Sequence, residues 1–302
     1  MALPCEKILI ISPNGGFGNR LRTLCSGLVL GKYLNRKVYH VWFNQEIIDK
    51  NNILYLSDIP NVFDMQKISF GDIFDEKYYQ SMPLDIKIDI CFSEWLSNYY
   101  WYQTQSFGYR NFGNNCEINI INNNADILLN CEHNVILLET GHIVKLSKYS
   151  YCWENEMENM YKNHFYFLEK YTNRFKQNID IGISIRCSPI FLHYFPESHV
   201  NQNDIIELIN HFKNSGKSVI IFSDDENVRK YIQNSTCFLN DFDRSGLCKY
   251  EEGIIEFIIL SQNCKHIYGT RNSSFAEEAA KFGGKQYDII KTLEKTLEKT
   301  LD

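Results

Sequence analysis

Lys7-Ile8-Leu9-Ile10-Ile11-Ser12, followed by Pro13-Asn14-Gly15-Gly16-Phe17-Gly18-Asn19-Arg20-Leu21-Arg22, is the stretch that decides the fold. Its first six residues are a short apolar, β-branched run, the pattern of a parallel strand covered on both faces. The Pro/Asn/Gly cluster breaks that strand. From Gly18 to Tyr33 apolar residues return at Leu21, Leu24, Leu28 and Leu30, the spacing of a helix face. Lys37-Val38-Tyr39-His40-Val41-Trp42 then reads as a second strand. A strand, a glycine-rich turn, a helix and a strand make a βαβ unit, so the chain starts as an α/β protein.

The turn itself has chemistry. Glycines let backbone amides face an anion, and the start of the next helix favours negative charge. Two common phosphate loops do not fit. A dinucleotide fingerprint wants a glycine where Leu21 stands, and an acid after the second strand where Trp42, Phe43 and Asn44 stand. That counts against a nicotinamide-dependent oxidoreductase. A Walker loop wants Gly-Lys-Ser/Thr, which is missing here.

Working outward, residues 43–145 carry short apolar segments at Ile86–Phe92 and Asn134–Glu139 that read as further strands. Ser97-Asn98-Tyr99-Tyr100-Trp101-Tyr102 is dense in aromatic rings, either a packing cluster or a surface for stacking sugars. Between 150 and 177, Trp153, Met157, Met160, Tyr161, Phe165, Leu168 and Phe175 recur near helical spacing. The domain boundary is expected in or beside that helix, giving domains 1–150 and 151–302.

The second half starts over. Strands are expected at Asp180–Arg186, Ser218–Phe222 and His266–Gly269. Helices are expected at Asn203–Phe212, with Asn203 or Asp204 near its cap, and at Glu226–Ile232, Gly253–Ser261 and Ser273–Phe282. That alternation predicts a second parallel, doubly wound sheet. The tail repeats Leu293, Leu297 and Leu301 every four residues, as a solvated terminal helix does.

A length of 302 residues suits two such domains of about 150 each. The net charge of −6 gives no basic field for nucleic acid, so a charged ligand needs a local basic site. The ten cysteines form no Cys-x-x-Cys pair, which argues for buried free thiols in a reducing compartment and against a zinc site. The start, Met1-Ala2-Leu3-Pro4-Cys5-Glu6-Lys7, has no secretory pattern, and no apolar run is long enough for a transmembrane segment. A cytoplasmic enzyme, or one whose anchor has been removed, is expected.

Three more places lie at carboxyl ends of expected strands, where open α/β sheets bind ligands. Ile183-Ser184-Ile185-Arg186 puts a guanidinium at one strand end, either on a ligand or paired with a nearby carboxylate. Ile221-Phe222-Ser223-Asp224-Asp225 puts a small hydroxyl and two acids at another. Asp225 is the better cap for the helix that follows, leaving Asp224 for a ligand. A metal at this pair lacks a third ligand. Tyr268-Gly269-Thr270-Arg271-Asn272-Ser273-Ser274-Phe275 sets hydroxyls and amides at a helix start, which suits a diphosphate. The Ser274 to Glu277 spacing is equally that of a capping box.

In this order, the glycine loop, Ser-x-Arg, Ser-Asp-Asp and Ser-Ser-Phe, the four motifs resemble the fucosyltransferase superfamily, which holds nodulation, core α1,6 and protein-O-fucosyltransferases. The resemblance spans residues 8–42 and 180–283 and leaves 43–150 uncovered. It implies a GT-B α/β fold, two Rossmann-like doubly wound domains facing across a cleft. The N-terminal domain would serve the acceptor and the C-terminal one a nucleotide sugar. It also implies an inverting, metal-independent glycosyltransferase with no cofactor, moving L-fucose from GDP-fucose to a glycan hydroxyl.

By that resemblance Phe17, Gly18, Asn19 and one of Arg20 and Arg22 belong to a loop turned toward the donor. Arg186 meets the β-phosphate, while Ser184 stands where relatives often carry histidine, which keeps other UDP- or GDP-linked donors open. Ser223, Asp224 and Asp225 belong to the nucleoside region, and Thr270, Ser273, Ser274 and Phe275 to the diphosphate. Glu94, beside Trp95, is the candidate base. A non-catalytic carbohydrate-binding protein is the remaining alternative.

Overall fold

A computed structural model describes residues 7–13, 16–40, 107–111, 116–120, 125–130, 135–235 and 241–290. Glu94, the 97–102 aromatic stretch and the tail after 290 lie outside the described residues. The chain divides into two compact units, Met1–Leu168 and Glu169–Asp302.

In the first unit, β1 (Ile8–Pro13) leads into α1 (Phe17–Leu34) and β2 (Lys37–His40), the βαβ start expected from the sequence. Later come β3 (Phe107–Asn111), β4 (Cys116–Ile120), β5 (Val135–Thr140) and α2 (Trp153–His164). The sheet order is β2-β1-β5-β3-β4. β1 is parallel to both its neighbours, and β3 is antiparallel to β4 and β5. This sheet is therefore mixed, parallel around β1 and antiparallel around β3. A five-residue strand carries too little periodicity to announce its direction.

Helix α1 buries Leu21, Leu24, Cys25, Val29 and Leu30 completely. It lies close on β1 at Gly27, where a Cβ would come within 2.6 Å of Ile11 Cδ1. It ends at Asn35, which takes a left-handed φ of 51° and donates to the carbonyls of the last turn. Helix α2 buries Trp153, Met157 and Tyr161 on one face. The helical pattern expected over 150–177 breaks after His164: Phe165 is extended, and Phe165, Phe167 and Phe175 are buried from outside α2. Periodic burial does not require a continuous helix.

In the second unit, α3 (Glu169–Thr172) precedes β6 (Ile179–Ile185), α4 (Pro189–Tyr194), α5 (Gln202–Asn214) and β7 (Val219–Ser223). Then follow α6 (Glu226–Ser235), α7 (Lys249–Ile258) with a π turn at Ile259–Asn263, β8 (Cys264–Gly269), α8 (Ser274–Gly283) and β9 (Gln286–Ile289). All four strands are parallel, in the order β7-β6-β8-β9. Ile181, Ile183 and Ile185 of β6 pack against Ile205, Leu208, Ile209 and Phe212 of α5. The side chain of Asn201 caps α5, accepting from the Asn203 amide at 2.9 Å, so the cap lies two residues before the expected Asn203.

The chain leaves β6 for β7 on one side and returns to place β8 on the other. Strand order reverses there, and the carboxyl ends of β6 and β8 form the switch point where such sheets bind ligands.

Candidate functional site

The switch point is built from Arg186 and Thr270. Arg186 follows the last residue of β6, and its backbone N–H donates to Thr270 Oγ1 at 3.0 Å. The Thr270 N–H donates to the Ser184 carbonyl at 3.2 Å. Thr270 is fully buried, so its hydroxyl holds the ends of β6 and β8 together and is not offered to solvent.

The Arg186 side chain is 39% exposed. Its guanidinium lies over the Phe191 ring, 5.2 Å from the centroid, so one face is set by an aromatic wall from α4. Asp224 Oδ2 lies 3.0 Å from Nε, without the alignment a hydrogen bond needs. Asp224 Oδ1 accepts the N–H groups of Cys187 and Ser188, at 2.7 and 3.1 Å. Asp224 thus orients both the arginine and the start of α4. Asp225 caps α6, accepting from Asn227 at 2.9 Å. The Ser223 hydroxyl accepts the Asp225 N–H at 3.2 Å and meets Cys187 Sγ at 3.2 Å. Burial and the neighbouring Asp224 and Asp225 push the Cys187 thiol up to about 11, against the pull of Ser223.

After β8, residues Thr270 to Ser273 form a tight turn closed by Ser273 N–H to Thr270 O at 3.1 Å. Ser273 sits at the N-cap of α8 without a side-chain cap bond, so the Ser274–Glu277 capping box is not the arrangement here. Ser273 is 4% exposed, and its Oγ is buried with no hydrogen-bond partner among the described residues. An uncommitted hydroxyl beside the free amides of a helix start is an arrangement suited to an anion.

A pocket of about 270 Å³ opens between these elements, with Ser184, Arg186, Ser223, Asp224 and Phe275 in its lining. This volume is close to the lower bound, about 300 Å³, of small-molecule sites. The structure brings these five expected residues together, with Thr270 bonded behind them. Phe275 packs edge-on against Phe257 at 5.5 Å.

The pocket also has a wall that the sequence reading missed. Lys249, Glu252, Gly253 and Glu256 of α7 line it, with Arg229 of α6. Arg244 binds both acids, Nη2 to Glu256 Oε1 at 3.0 Å and Nε to Glu252 Oε2 at 3.4 Å. Arg244 is itself stacked on Phe242, 4.0 Å from the centroid. Burial pushes the Glu256 carboxyl up to about 7, against the pull of Arg244. Two acids a helical turn apart were visible, but nothing local tells such a pair from a solvated face.

Phe17, Gly18, Asn19 and Arg20 form the first turn of α1 in the first unit. Phe17 and Gly18 are buried, Asn19 is half-buried with its Oδ1 unpartnered among the described residues, and Arg20 is 2% exposed. Arg22 Nε donates to the Gly141 carbonyl at 2.9 Å, tying α1 to the end of β5. Among the described residues no three His, Cys, Asp or Glu gather as a metal site, and no helix is long and apolar enough to cross a membrane.

No family model matches the chain, and no curated protein does. Among solved structures it is similar to the NodZ α-1,6-fucosyltransferase soaked with GDP-fucose, at TM-score 0.50 and 14% identity over 92% of each chain. It is similar, again at 0.50 and 14%, to fucosyltransferase NodZ from Bradyrhizobium over 91% of each chain. Its TM-score with apo POFUT1 is 0.49 at 10% identity, over 96% of this chain and 99% of that one. The likeness to NodZ at 0.50 shows the fold alone: the chain is an α/β protein with a fold like that of NodZ.

Proposed function

We propose that the chain is a glycosyltransferase that takes GDP-fucose as donor and transfers fucose to a glycan hydroxyl with inversion. The observation that carries this reading is the joining of Arg186 to the β8–α8 turn through Thr270. The acceptor oxygen attacks the anomeric carbon, and the bond to the β-phosphate oxygen breaks. Its electron pair stays on the departing diphosphate. Arg186 and the start of α8 at Ser273 and Ser274 meet that growing charge, the work that a divalent cation does in metal-dependent transferases. Glu94 is the assigned base for the acceptor proton.

The α7 wall supports guanine over uracil. Guanine offers N1–H and N2–H₂ side by side to a carboxylate, whereas uracil flanks a single N–H with two carbonyls. Glu252 and Glu256 are acceptors beside the Phe275 ring in the same pocket. The solved NodZ soaked with GDP-fucose supports the same donor. The experiment is calorimetry with GDP, UDP and GDP-fucose, followed by transfer assays with and without chelator. Tight GDP binding, weak UDP binding and chelator-resistant transfer are expected. Preference for UDP would overturn the donor. Glycan binding without donor turnover would make the chain a carbohydrate-binding protein.

A further inference from the structure

We propose that Asn272 is a positioning residue, whose amide ties the wall over Arg186 to the turn that opens α8 and so sets the spacing of the two groups that meet the diphosphate. The proposal rests on the donor reading above.

Asn272 is the third residue of the Thr270–Ser273 turn and has a positive φ of 60°. Glycine or asparagine occupies that place most readily, and other L-residues are strained there. The backbone alone would be served by glycine. The amide does more: Nδ2 donates to Glu197 Oε1 at 2.7 Å and to Ser198 Oγ at 3.2 Å. Ser198 is 1% exposed and accounts for the far end of the segment that begins at Cys187.

That segment is held at three places. Asp224 Oδ1 takes its first two N–H groups. Phe191, in its middle, lies under the Arg186 guanidinium. Asn272 fastens its end. Asn272 is also the neighbour of Ser273, whose buried hydroxyl has no partner among the described residues. One side chain therefore couples the aromatic platform of the cation to the helix start. Loss of the tie frees the wall without touching either anion-binding group.

The test uses the full chain. Asn272→Asp keeps the size and turn propensity but sets a carboxylate against Glu197. Combining it with Glu197→Gln restores the hydrogen bond with donor and acceptor exchanged. Asn272→Gly keeps the backbone and removes the tie. Amide exchange over residues 187–198, GDP affinity and donor kinetics are measured for each. We expect Asn272→Asp to speed exchange in that segment and weaken GDP about tenfold. The reversed pair should recover most of both, which a merely structural asparagine would not do, and Asn272→Gly should fall between. Unchanged exchange over 187–198 in Asn272→Asp, or a double variant as impaired as the single, would overturn the tie. If the parent itself fails to bind GDP while the exchange pattern holds, the donor reading falls and the tie stands.

Discussion

The hydroxyl of Thr270 accepts the backbone N–H of Arg186 at 3.0 Å, across the point where the strand order of the second sheet reverses. Threonine is fully buried there, so no water stands ready to replace it. Thr270→Val keeps the shape and leaves the part-buried Arg186 N–H without its acceptor, which costs about 1 kcal/mol. Urea unfolding should show that loss, and GDP affinity should fall with it as Arg186 drifts. Thr270→Ser should retain both. Equal stability for the valine variant would mean that the bond does not hold the strand ends.

Arg186→Ala should abolish measurable GDP binding and cut transfer by orders of magnitude while the unfolding midpoint holds. The half-exposed side chain is not part of the core, and Asp224 keeps its bonds to Cys187 and Ser188. Arg186→Lys keeps the charge but loses the planar fork and the stacking on Phe191, so it should recover only a small part of the affinity. Isothermal calorimetry and circular dichroism on the same samples separate the two effects. An alanine variant with parental turnover would remove Arg186 from the mechanism.

What was legible in the sequence follows a physical rule. β6 and β7 are short, nearly continuous apolar runs buried along almost their whole length, and the residues beyond β6, β7 and β8, Arg186, Asp224 and Ser273, stand out as polar groups at strand ends. The antiparallel β3 and β4, and the edge strand β9, have no such runs. The α7 wall was hidden for another reason. Glu252, Glu256 and Arg244 look like ordinary surface charges until folding brings Arg244 between the two acids. The Asn272 tie crosses 75 residues of sequence, and no local pattern records it.

Ser273 offers a prediction in which stability and binding part ways. Its buried hydroxyl has no partner among the described residues, so Ser273→Ala removes an unsatisfied group. The unfolding free energy should hold or rise by up to about 1 kcal/mol. Diphosphate affinity should nevertheless fall about tenfold, since a hydrogen bond to a charged ligand is lost. Thermal unfolding and GDP calorimetry read the two signs. A variant that is less stable, with GDP affinity intact, would make the serine structural.

Glu256 gives the pH dependence. Burial pushes its carboxyl up to about 7, with Glu252 adding to the rise and Arg244 opposing it. N–H groups donated by guanine favour the ionised form, so GDP binding below pH 7 must release a proton. Affinity should therefore climb from pH 6 to pH 8 and level off above. Glu256→Gln should flatten that rise, and it also controls for the terminal phosphate of GDP, which titrates near about pH 6. Fold stability runs the other way. The folded carboxyl keeps a proton that the unfolded chain, at its ordinary 4.5, has released, so its contribution is complete below 4.5 and lost as pH rises through about 7. Calorimetry in two buffers of different ionisation enthalpy counts the protons released. An affinity that stays flat across this window in the parent, or a slope in Glu256→Gln as steep as the parent's, would place the base elsewhere than against α7.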